Sequence, residues 1–221
     1  MHLLLTGSTG LVGQGVLQRC LQAGDVEHIT LLVRRPVDAR ESRVSQLVLQ
    51  DFAQADSRVA ELFGIDAAFY CAGAPPVGTR APEYRRVTHD LTLAVARAYA
   101  KANPAGRFVY ISGAGSDPGA QLMPFRIKGD TEVSLQQLPI TTVMLRPGGI
   151  LPADGTASPH ASMRFFHALA RPLQSVAVRC LPGSATTNTR IGEAMLAVAR
   201  MPHPPSVVEN TDINRLGAPA G

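Results

Sequence analysis

The chain has 221 residues, 45% of them hydrophobic, and a formal net charge of +4. A chain of this length buries about 70–75% of its unfolded surface in a single globular domain, so we expect disorder only at its ends. Aromatic residues make up only 5% of the chain and the basic residues are scattered, which gives weak support to a nucleic-acid partner. A phosphate-bearing small molecule explains the positive charge equally well.

The cysteines and the apolar segments indicate the cellular compartment in which we expect the protein. Cys20, Cys71 and Cys180 are far apart and odd in number, which argues against a disulfide framework and against a CxxC metal site. No segment approaches the roughly 18 apolar residues that span a bilayer. The apolar start, residues 3–5, lacks the basic leader of a signal peptide. We therefore expect a soluble, cytoplasmic protein with no membrane partner.

Strands and helices alternate along the first two thirds of the chain. Apolar runs bounded by turn residues predict six strands, at 2–6, 28–33, 45–50, 67–72, 107–112 and 141–147. The pattern between them predicts helices at about 11–23, 82–102 and 127–138. This alternation is typical of an α/β protein with a doubly wound parallel sheet, the Rossmann fold.

The alternation of predicted strands and helices is less regular after residue 150. Two further segments are predicted as helices, at 163–174 and 190–201. We interpret 1–201 as a single domain in which 151–201 forms a small substrate cap. Residues 202–221 are rich in proline, glycine and polar residues and are expected to form a loose C-terminal tail.

Three glycines, Gly7, Gly10 and Gly13, follow one another at three-residue intervals where the first strand ends and the first helix begins. In a parallel sheet this junction lies at the carboxyl edge, where the helix presents unpaired N–H groups that attract an anion. Gly7 permits a tight turn, Gly10 lets a pyrophosphate approach the backbone, and Gly13 lets the helix pack on the strand. A plain strand–helix turn does not explain the regular interval. The predicted dinucleotide-binding loop comprises Gly7, Ser8, Thr9, Gly10, Leu11, Val12 and Gly13.

The spacing of these glycines after Thr6 resembles that of the extended and atypical short-chain dehydrogenase/reductase superfamily. The segment "KGDTE" at 128–132 is similar to the atypical group that includes NmrA-like and Tat-interacting-protein oxidoreductase-like proteins, often described as NAD-dependent epimerase/dehydratases. Further matching positions over residues 1–150 are Asp51-Phe52, Cys71-Ala72-Gly73, Ser112, Lys128-Gly129 and Arg146-Pro147-Gly148.

The resemblance implies roles for several of these positions in cofactor binding. Asp51 is expected to accept a hydrogen bond from the adenine amino group and Phe52 to contribute its backbone, although a capping role for Asp51 is an equal alternative. The small residues Cys71, Ala72 and Gly73 are expected beneath the ribose and nicotinamide. No base is close to Cys71 in sequence, which argues against a nucleophilic role. The backbone of residues 147–148, Pro147 and Gly148, is expected to border the nicotinamide.

The tip of the second strand carries Arg34 and Arg35, where dinucleotide-binding proteins read the adenosine ribose. An acidic residue there accepts from a free 2′-hydroxyl, whereas an arginine pairs with a 2′-phosphate. No acidic residue occupies this tip, because Asp38 and Glu41 follow only after Pro36. We therefore predict NADP(H) as the cofactor. If both arginines are solvated surface charges, NAD(H) remains the alternative.

The expected proton-exchanging tyrosine is absent. In the superfamily a tyrosine stands four residues before the lysine, which binds the nicotinamide ribose and lowers the tyrosine pKa. Lys128 matches the lysine, but the position four residues earlier is Pro124, followed by Phe125. A proline there is expected to delay the start of the helix. Ser112 matches the serine that orients the substrate carbonyl, and Ser116 is a second candidate.

The remaining tyrosine and histidine side chains are weaker candidates for catalysis or metal binding. Tyr84 is the one tyrosine of the central region expected on a loop, after the fourth strand. The six histidines show neither HxH nor HxxxH spacing, so we expect no metal site. His89 is expected to be an exposed helix residue, and His160 and His167 are candidates to line the substrate cleft.

Two hypotheses for function follow from this sequence. The first is an NADP(H)-dependent oxidoreductase or epimerase-like enzyme that acts on a small carbonyl or hydroxyl compound, with Ser112 orienting the substrate and Lys128 positioning the cofactor. The second, favoured by the missing tyrosine, is a catalytically inactive dinucleotide sensor or assembly factor that binds a regulatory protein. Nucleotide-sugar epimerisation is weaker, because the roughly 70 residues after position 150 leave little surface for a nucleotide diphosphate. By family analogy, the helix at 82–102 is a candidate homodimer surface.

Overall fold

Seven parallel strands form the central sheet of the computed structural model, which describes residues 1–153 and 183–218. The order of the strands is β3-β2-β1-β4-β5-β6-β9, and β7 and β8 form a separate parallel pair. The strands are β1 (His2–Thr6), β2 (His28–Val33), β3 (Val44–Val48), β4 (Ala67–Tyr70), β5 (Arg107–Ile111), β6 (Thr141–Arg146), β7 (Gly149–Leu151), β8 (Ala185–Thr187) and β9 (Val207–Glu209). The chain therefore has the predicted Rossmann-like α/β fold.

Helices cover both faces of this sheet. They are α1 (Leu11–Gln22), a 3₁₀ segment (Phe52–Leu62), α2 (Ala81–Arg85), a π-helical turn (Arg86–Asp90), α3 (Leu91–Ala102), α4 (Met123–Gln136), α5 (Asn188–Arg200) and α6 (Asn210–Leu216). Across 1–153 and 183–218, none of these helices combines the length and the apolar character needed to cross a bilayer.

The alternation of side chains along the strands divides the core into two layers. Leu3 and Leu5 point to one face of the sheet, where they join the buried side chains of α1 and α5. Leu4 points to the other face and packs with the 3₁₀ segment and α3. Because both faces are covered, the strands are apolar at nearly every position, as expected for a buried parallel sheet.

The six predicted strands all form, with small differences at their ends. The third strand begins at Val44, one residue earlier than predicted, and ends at Val48, two residues earlier than predicted. The long helix predicted at 82–102 is present as α2, the π-helical turn and α3 in succession. The strands β7, β8 and β9 were not predicted, because segments of three residues carry too little periodicity to be recognised. The 3₁₀ segment of 11 residues was not predicted either.

The expectation of a loose tail after residue 202 is wrong for residues 207–216. Val207 to Glu209 pair with Met144 to Arg146, so β9 adds a seventh strand to the sheet. Val208 and Ile213 are buried in the core layer that contains α1 and α5. The edge of β6 offers unpaired main-chain groups, and this tertiary partner outweighs the proline-rich composition of the segment.

The structure describes only part of the predicted substrate cap, residues 151–153 and 183–201. The helix expected at 163–174 lies outside the described residues. The second one, expected at 190–201, forms as α5, but it packs along α1 as a layer of the main domain rather than as a cap. At its first residue, the Asn188 amide group donates to the carbonyl of Leu11 at 2.9 Å and accepts from the backbone N–H of Ala153, also at 2.9 Å. The C-terminal part of the chain thus supports the first turn of α1.

Candidate active site

The candidate site lies where the direction of the strand order reverses. From β1 the sheet continues to β2 and β3 on one side and to β4, β5, β6 and β9 on the other. The loops that follow β1 and β4 diverge at this point and leave a crevice at the carboxyl edge, the usual ligand position in open α/β sheets. The glycine loop and the segment 71–73 are therefore brought to the same place, as predicted.

Close backbone contacts shape the glycine loop. Gly7 has a φ of +69°, and a Cβ there would lie 2.6 Å from the carbonyl carbon of Cys71. A Cβ on Gly13 would lie 2.0 Å from the carbonyl oxygen of Gly7. At Gly10 the nearest atom to an added Cβ is again the Gly7 oxygen, but at 3.3 Å, so this position has more room. Gly7 and Gly13 are thus required by the fold, whereas Gly10 is not.

The N-terminus of α1 carries unpaired hydrogen-bond donors. Gly10 is the N-cap residue and provides no side-chain cap. The amides of Leu11, Val12 and Gly13 begin the helix and have no carbonyl one turn earlier within it. Ser8 is 6% exposed, and its hydroxyl has no hydrogen-bond partner in the described part of the chain. Thr9 is exposed, and its carbonyl accepts from the Gln14 side chain at 2.9 Å. These groups together form a site suited to an anion.

Thr6 joins the two sides of the crevice, a role that the sequence did not predict. Its buried Oγ1 accepts hydrogen bonds from the backbone N–H groups of Cys71, at 3.1 Å, and Ala72, at 3.2 Å. These two amides follow the end of β4, where the sheet no longer supplies partners. The hydroxyl of Thr6 therefore fixes the segment after β4 against the glycine loop.

The segment Cys71-Ala72-Gly73 provides small side chains beside this loop. The Cys71 thiol lies 3.9 Å from the Sδ of Met195, and burial raises the pKa of this thiol. A thiol of this kind is a weak nucleophile, which agrees with the prediction that Cys71 does not attack substrate. Gly73 is exposed, and no atom lies within 4 Å of an added Cβ, so the backbone there is open to a ligand.

Arg34 and Arg35 follow β2 and are exposed at the same edge of the sheet. Neither guanidinium makes an ion pair or side-chain hydrogen bond with residues 1–153 or 183–218. Asp51 accepts from the N–H of Ala53 at 3.1 Å, caps the 3₁₀ segment, and lies 3.4 Å from the guanidinium of Arg86. The capping alternative for Asp51 is thus observed, while its contact with adenine remains a prediction.

Phe52 packs its side chain into the core, where it is 5% exposed. Its backbone is the part expected to border adenine, and that role remains a prediction.

Pro147 and Gly148 follow β6. The Pro147 carbonyl accepts from Ala114 at 2.9 Å, and the Gly148 N–H donates to the Asn210 side chain at 2.8 Å. This N–H is therefore already engaged by a residue that the sequence did not indicate.

The two predicted catalytic positions, Ser112 and Lys128, are in direct contact. The Nζ of Lys128 donates to the backbone carbonyl of Ser112 at 2.5 Å. The Ser112 hydroxyl is buried and donates to the hydroxyl of Ser116 at 2.9 Å, and Ser116 donates to the Gly113 carbonyl at 2.7 Å. Desolvation lowers the pKa of Lys128 to about 8, although the carboxylate of Glu132 favours its charged form.

Pro124 does not delay α4, contrary to expectation. The helix begins at Met123, and Pro124 occupies its first turn, where a missing N–H costs no helical hydrogen bond. The side chain of Phe125 is 37% exposed and lies near Gly115. The position of the family tyrosine therefore lies on the helix one turn before Lys128, but it carries no hydroxyl.

Tyr84 does not replace the missing tyrosine, and its expected place on a mobile loop is wrong. It lies in α2 and is 1% exposed. The side chain of Tyr110 in β5 is likewise buried, at 2% exposed. Burial raises the pKa of both phenols, so that they retain their protons at neutral pH and do not reach the crevice as exposed acids.

A partly buried ion pair lies one turn beyond Lys128 on α4. Arg146 at the end of β6 contacts the two carboxylate oxygens of Glu132 at 3.0 Å and 2.5 Å, and also Glu209 at 3.1 Å. These contacts raise the pKa of Arg146, with the Glu132 hydrogen bond the largest cause. The pair joins α4 to the sheet one turn beyond Lys128 and thus fixes the register of this lysine.

The histidines contribute little to the crevice. His89 is half-buried rather than exposed, with Nδ1 2.8 Å from Asp90 and Nε2 3.2 Å from Ser134. His160, His167 and Cys180 lie outside the described residues. Within 1–153 and 183–218, no three His, Cys, Asp or Glu side chains are grouped as metal ligands would be.

Comparison with known proteins defines the class. Residues 3–131 match the model of the NAD-dependent epimerase/dehydratase family, more than half of the chain, so the chain belongs to this family. It is 34% identical over 154 residues to the protein named "Protein FMP52, mitochondrial" from Eremothecium gossypii, covering 68% of this chain and 67% of that protein.

Two other similarities extend this comparison. The "Leucinostatins biosynthesis cluster protein T" of Purpureocillium lilacinum is 34% identical over 141 residues, 62% of this chain but only 52% of that protein, so the chain spans about half of that relative. Among solved structures, the Bordetella bronchiseptica enzyme WbmF in complex with NAD⁺ shares the fold, with a TM-score of 0.69 and 14% identity over 97% of this chain and 76% of that one.

Replacing Thr6 tests how the crevice is held together. Thr6→Val keeps the shape of the side chain but removes the acceptor for two backbone N–H groups. Leaving buried donors unpaired costs about 1–3 kcal/mol each, so we expect the free energy of unfolding to fall by roughly 2–4 kcal/mol. Thr6→Ser keeps the oxygen and serves as the control. Urea unfolding of the three proteins measures the difference, and equal stability of the valine variant and the native protein would contradict the role of Thr6.

Proposed function

We propose that this chain binds a nicotinamide dinucleotide at the carboxyl edge of its sheet and acts as an oxidoreductase on a small carbonyl or hydroxyl compound. One observation carries the proposal: α1 begins without a side-chain cap directly beside the Ser8 hydroxyl, which has no partner among the residues that the structure describes. Buried hydroxyls without a partner are rare in folded proteins, and a phosphate oxygen satisfies both this group and the free helix amides.

The residues around the start of α1 fit a nicotinamide dinucleotide. The close backbone contacts at Gly7 and Gly13 leave no space for side chains between the loop and the strands. Gly10 and Gly73 are open enough for a ligand to lie against the backbone. When bound, a nicotinamide dinucleotide supplies the hydride that is exchanged with substrate. The fold shared with WbmF, whose structure was determined with NAD⁺, supports the same placement.

Arg34 and Arg35 favour NADP(H) over NAD(H). Both guanidinium groups are exposed after β2, without a carboxylate partner among the described residues. A 2′-phosphate on the adenosine ribose would provide the missing anion, and no carboxylate that would repel this phosphate occurs between the end of β2 and Asp38. Hydrogen bonds to charged groups contribute about 1.5–3 kcal/mol each, which is sufficient for a marked preference.

The remaining residues of the site have distinct roles in this proposal. Lys128 holds the Ser112–Gly113 backbone at the end of β5 and presents its amine to the crevice. The hydroxyl of Ser112 donates to Ser116, which donates to the Gly113 carbonyl, so Ser112 orients a substrate oxygen once its hydroxyl turns away from Ser116. We propose cytoplasmic residence from the number and spacing of the cysteines. The fungal relatives named mitochondrial make mitochondria the alternative compartment, which cell fractionation would distinguish.

Replacing Gly10 separates binding from folding. We expect Gly10→Ala to leave the free energy of unfolding within about 1 kcal/mol of the native value, because the added Cβ meets only one atom at 3.3 Å. We expect it to weaken NADPH binding at least about tenfold, roughly 1.4 kcal/mol, because the methyl group occupies the path of the phosphate. Calorimetric titration with NADPH and NADH measures the binding.

Two further glycine variants complete this experiment. Gly24→Ala is the control, since nothing lies within 4 Å of the added Cβ, and it should change neither property. Gly13→Ala should destabilise the fold itself, because the new atom would lie 2.0 Å from the Gly7 oxygen. Absence of any binding by the native protein at millimolar dinucleotide would refute the proposed function.

The cofactor preference is tested at the arginine pair. Arg34→Ala and Arg35→Ala should each weaken NADPH binding about 10- to 100-fold while changing NADH binding less than about threefold, because only NADPH carries the 2′-phosphate. Arg40→Ala is the control, as this exposed arginine pairs with Asp38. Fluorescence titrations with both reduced dinucleotides measure the ratio. Equal affinity of the native protein for NADPH and NADH would contradict the preference for NADP(H).

A second function, a dinucleotide sensor without turnover, is favoured by Pro124 at the tyrosine position and by the burial of Tyr84 and Tyr110. A sensor should bind the oxidised and reduced cofactor with different affinity and change its protein partner accordingly. Pull-downs with NADP⁺ and NADPH, together with a panel of aldehydes and ketones monitored for NADPH oxidation, separate the two functions. We expect oxidation with at least one carbonyl compound. Cofactor binding without any turnover, accompanied by redox-dependent pull-downs, would instead establish the sensor.

A further inference from the structure

The use of lysine in this chain is unusual. Of 21 lysine and arginine residues, only Lys101 and Lys128 are lysines. Lys101 lies on α3, is exposed, and pairs with Asp56. Lys128 is half-buried in the candidate site. An arginine keeps its proton at every physiological pH, whereas a desolvated lysine can release one. Position 128 is therefore a cation of the site that is able to titrate.

The amine of Lys128 is only partly satisfied by the protein. One of its three N–H bonds donates to the Ser112 carbonyl. The other two have no acceptor within residues 1–153 and 183–218. A Cβ on Gly113 would lie 3.1 Å from Nζ, so the absence of a side chain there keeps this face of the amine uncovered. The ammonium group thus has donors available beside the end of β5, where Ser112 and Ser116 lie.

The charged groups around Lys128 leave it without a direct carboxylate partner. Glu132, one turn further along α4, favours the charged form but is itself bonded to Arg146. On the facing elements, burial keeps Tyr84 and Tyr110 neutral. The other charged side chains nearby are engaged elsewhere: Asp117 with the N–H of Gly119, Arg85 with Asp130, and Arg126 with the carbonyls of Ala120 and Gln121. Desolvation consequently prevails over attraction, and the pKa of Lys128 falls to about 8.

We propose that the ammonium group of Lys128 is itself the proton donor to the substrate carbonyl oxygen, in place of the tyrosine absent at Pro124. The inference rests on the proposed oxidoreductase function. As the carbonyl carbon gains hydride from the reduced nicotinamide dinucleotide, an N–H bond of Lys128 breaks and an O–H bond forms on the substrate. The products are an alcohol, the oxidised dinucleotide and a neutral amine, which regains its proton from water. In the reverse direction the neutral amine removes the proton of the alcohol.

The direction of the pH dependence follows from this assignment. The donor form of Lys128 predominates below its pKa, so the rate of carbonyl reduction should be constant below about pH 8 and fall above it. Alcohol oxidation needs the neutral amine and should instead rise as the pH passes through about 8. A tyrosine donor with the usual pKa near 10 would place the fall in reduction rate higher.

The ionisation of Lys128 can be measured without any reaction. Protein labelled with ¹³C-lysine gives signals from only two lysine side chains, and Lys128→Arg assigns them. We expect the Cε shift of Lys128 to titrate near pH 8 in the cofactor-free protein. Titration of Lys128 at the ordinary lysine pKa, about 10.4, would overturn the proposal even if the dinucleotide binds.

Kinetics then test the proton transfer itself. Lys128→Arg keeps the positive charge but does not release a proton near neutral pH, so kcat for carbonyl reduction should fall about 10²-fold or more. The KM for NADPH should change less than about fivefold. A kcat within about threefold of the native value would overturn the proposal, as would the absence of turnover with every carbonyl compound tested.

Restoring the tyrosine provides the matched control. In the Lys128→Arg background, Pro124→Tyr should recover part of kcat, since it places a phenol one turn before position 128, whereas Pro124→Phe should not. Recovery by both variants would indicate a structural effect and count against the proposal. Loss of dinucleotide binding in the native protein is a different outcome, because it refutes the proposed function whatever the pH at which Lys128 titrates.

Discussion

The approach of the Gly7 carbonyl to the backbone of α1 is the contact on which the rest of the site depends. It brings the start of the helix so close to the end of β1 that no side chain fits at residue 13. The same turn places Gly7 against the carbonyl group of Cys71, and the Thr6 hydroxyl holds the following amides. Three segments of backbone are therefore locked together without any large side chain between them. Among residues 1–153 and 183–218, no side chain caps the first amides of the helix.

A second constraint operates on the other side of the crevice, through charge rather than through steric contact. The Glu132–Arg146 pair lies where α4 meets β6, with Glu132 buried and Arg146 half-buried. Removing one partner of such a pair leaves an uncompensated charge, so the pair fixes the position of α4 strongly even where its net contribution to stability is small. Lys128 lies one turn earlier on the same helix. Its amine thus reaches the end of β5 in a defined place, although it lacks a carboxylate of its own.

Sequence reasoning recovered the parts of the site that depend on local pattern. The glycine interval and the alternation of strands and helices follow from short-range features, whereas Ser112 and Lys128 were identified by the family resemblance; the Lys128 amine contacts the Ser112 carbonyl. The missed features are tertiary. Thr6 gives no signal of its own, because a threonine at the end of a strand is common. The strand at Val207–Glu209 is too short to show a period and forms because β6 offers it an edge. The predicted helix at 82–102 contains Tyr84, but the burial of this side chain is a tertiary feature that the sequence pattern does not show.

The contact between Asn188 and Leu11 has a consequence for biosynthesis. Asn188 bonds the first carbonyl of α1, and α5 covers the same sheet face as α1, yet the two segments are separated by 177 positions in the chain. The ribosome must synthesise α5 before this layer can close. The segment that matches the family, residues 3–131, ends before α5, which completes the layer. A nascent chain that paused before residue 188 would expose one apolar face of its sheet to chaperones.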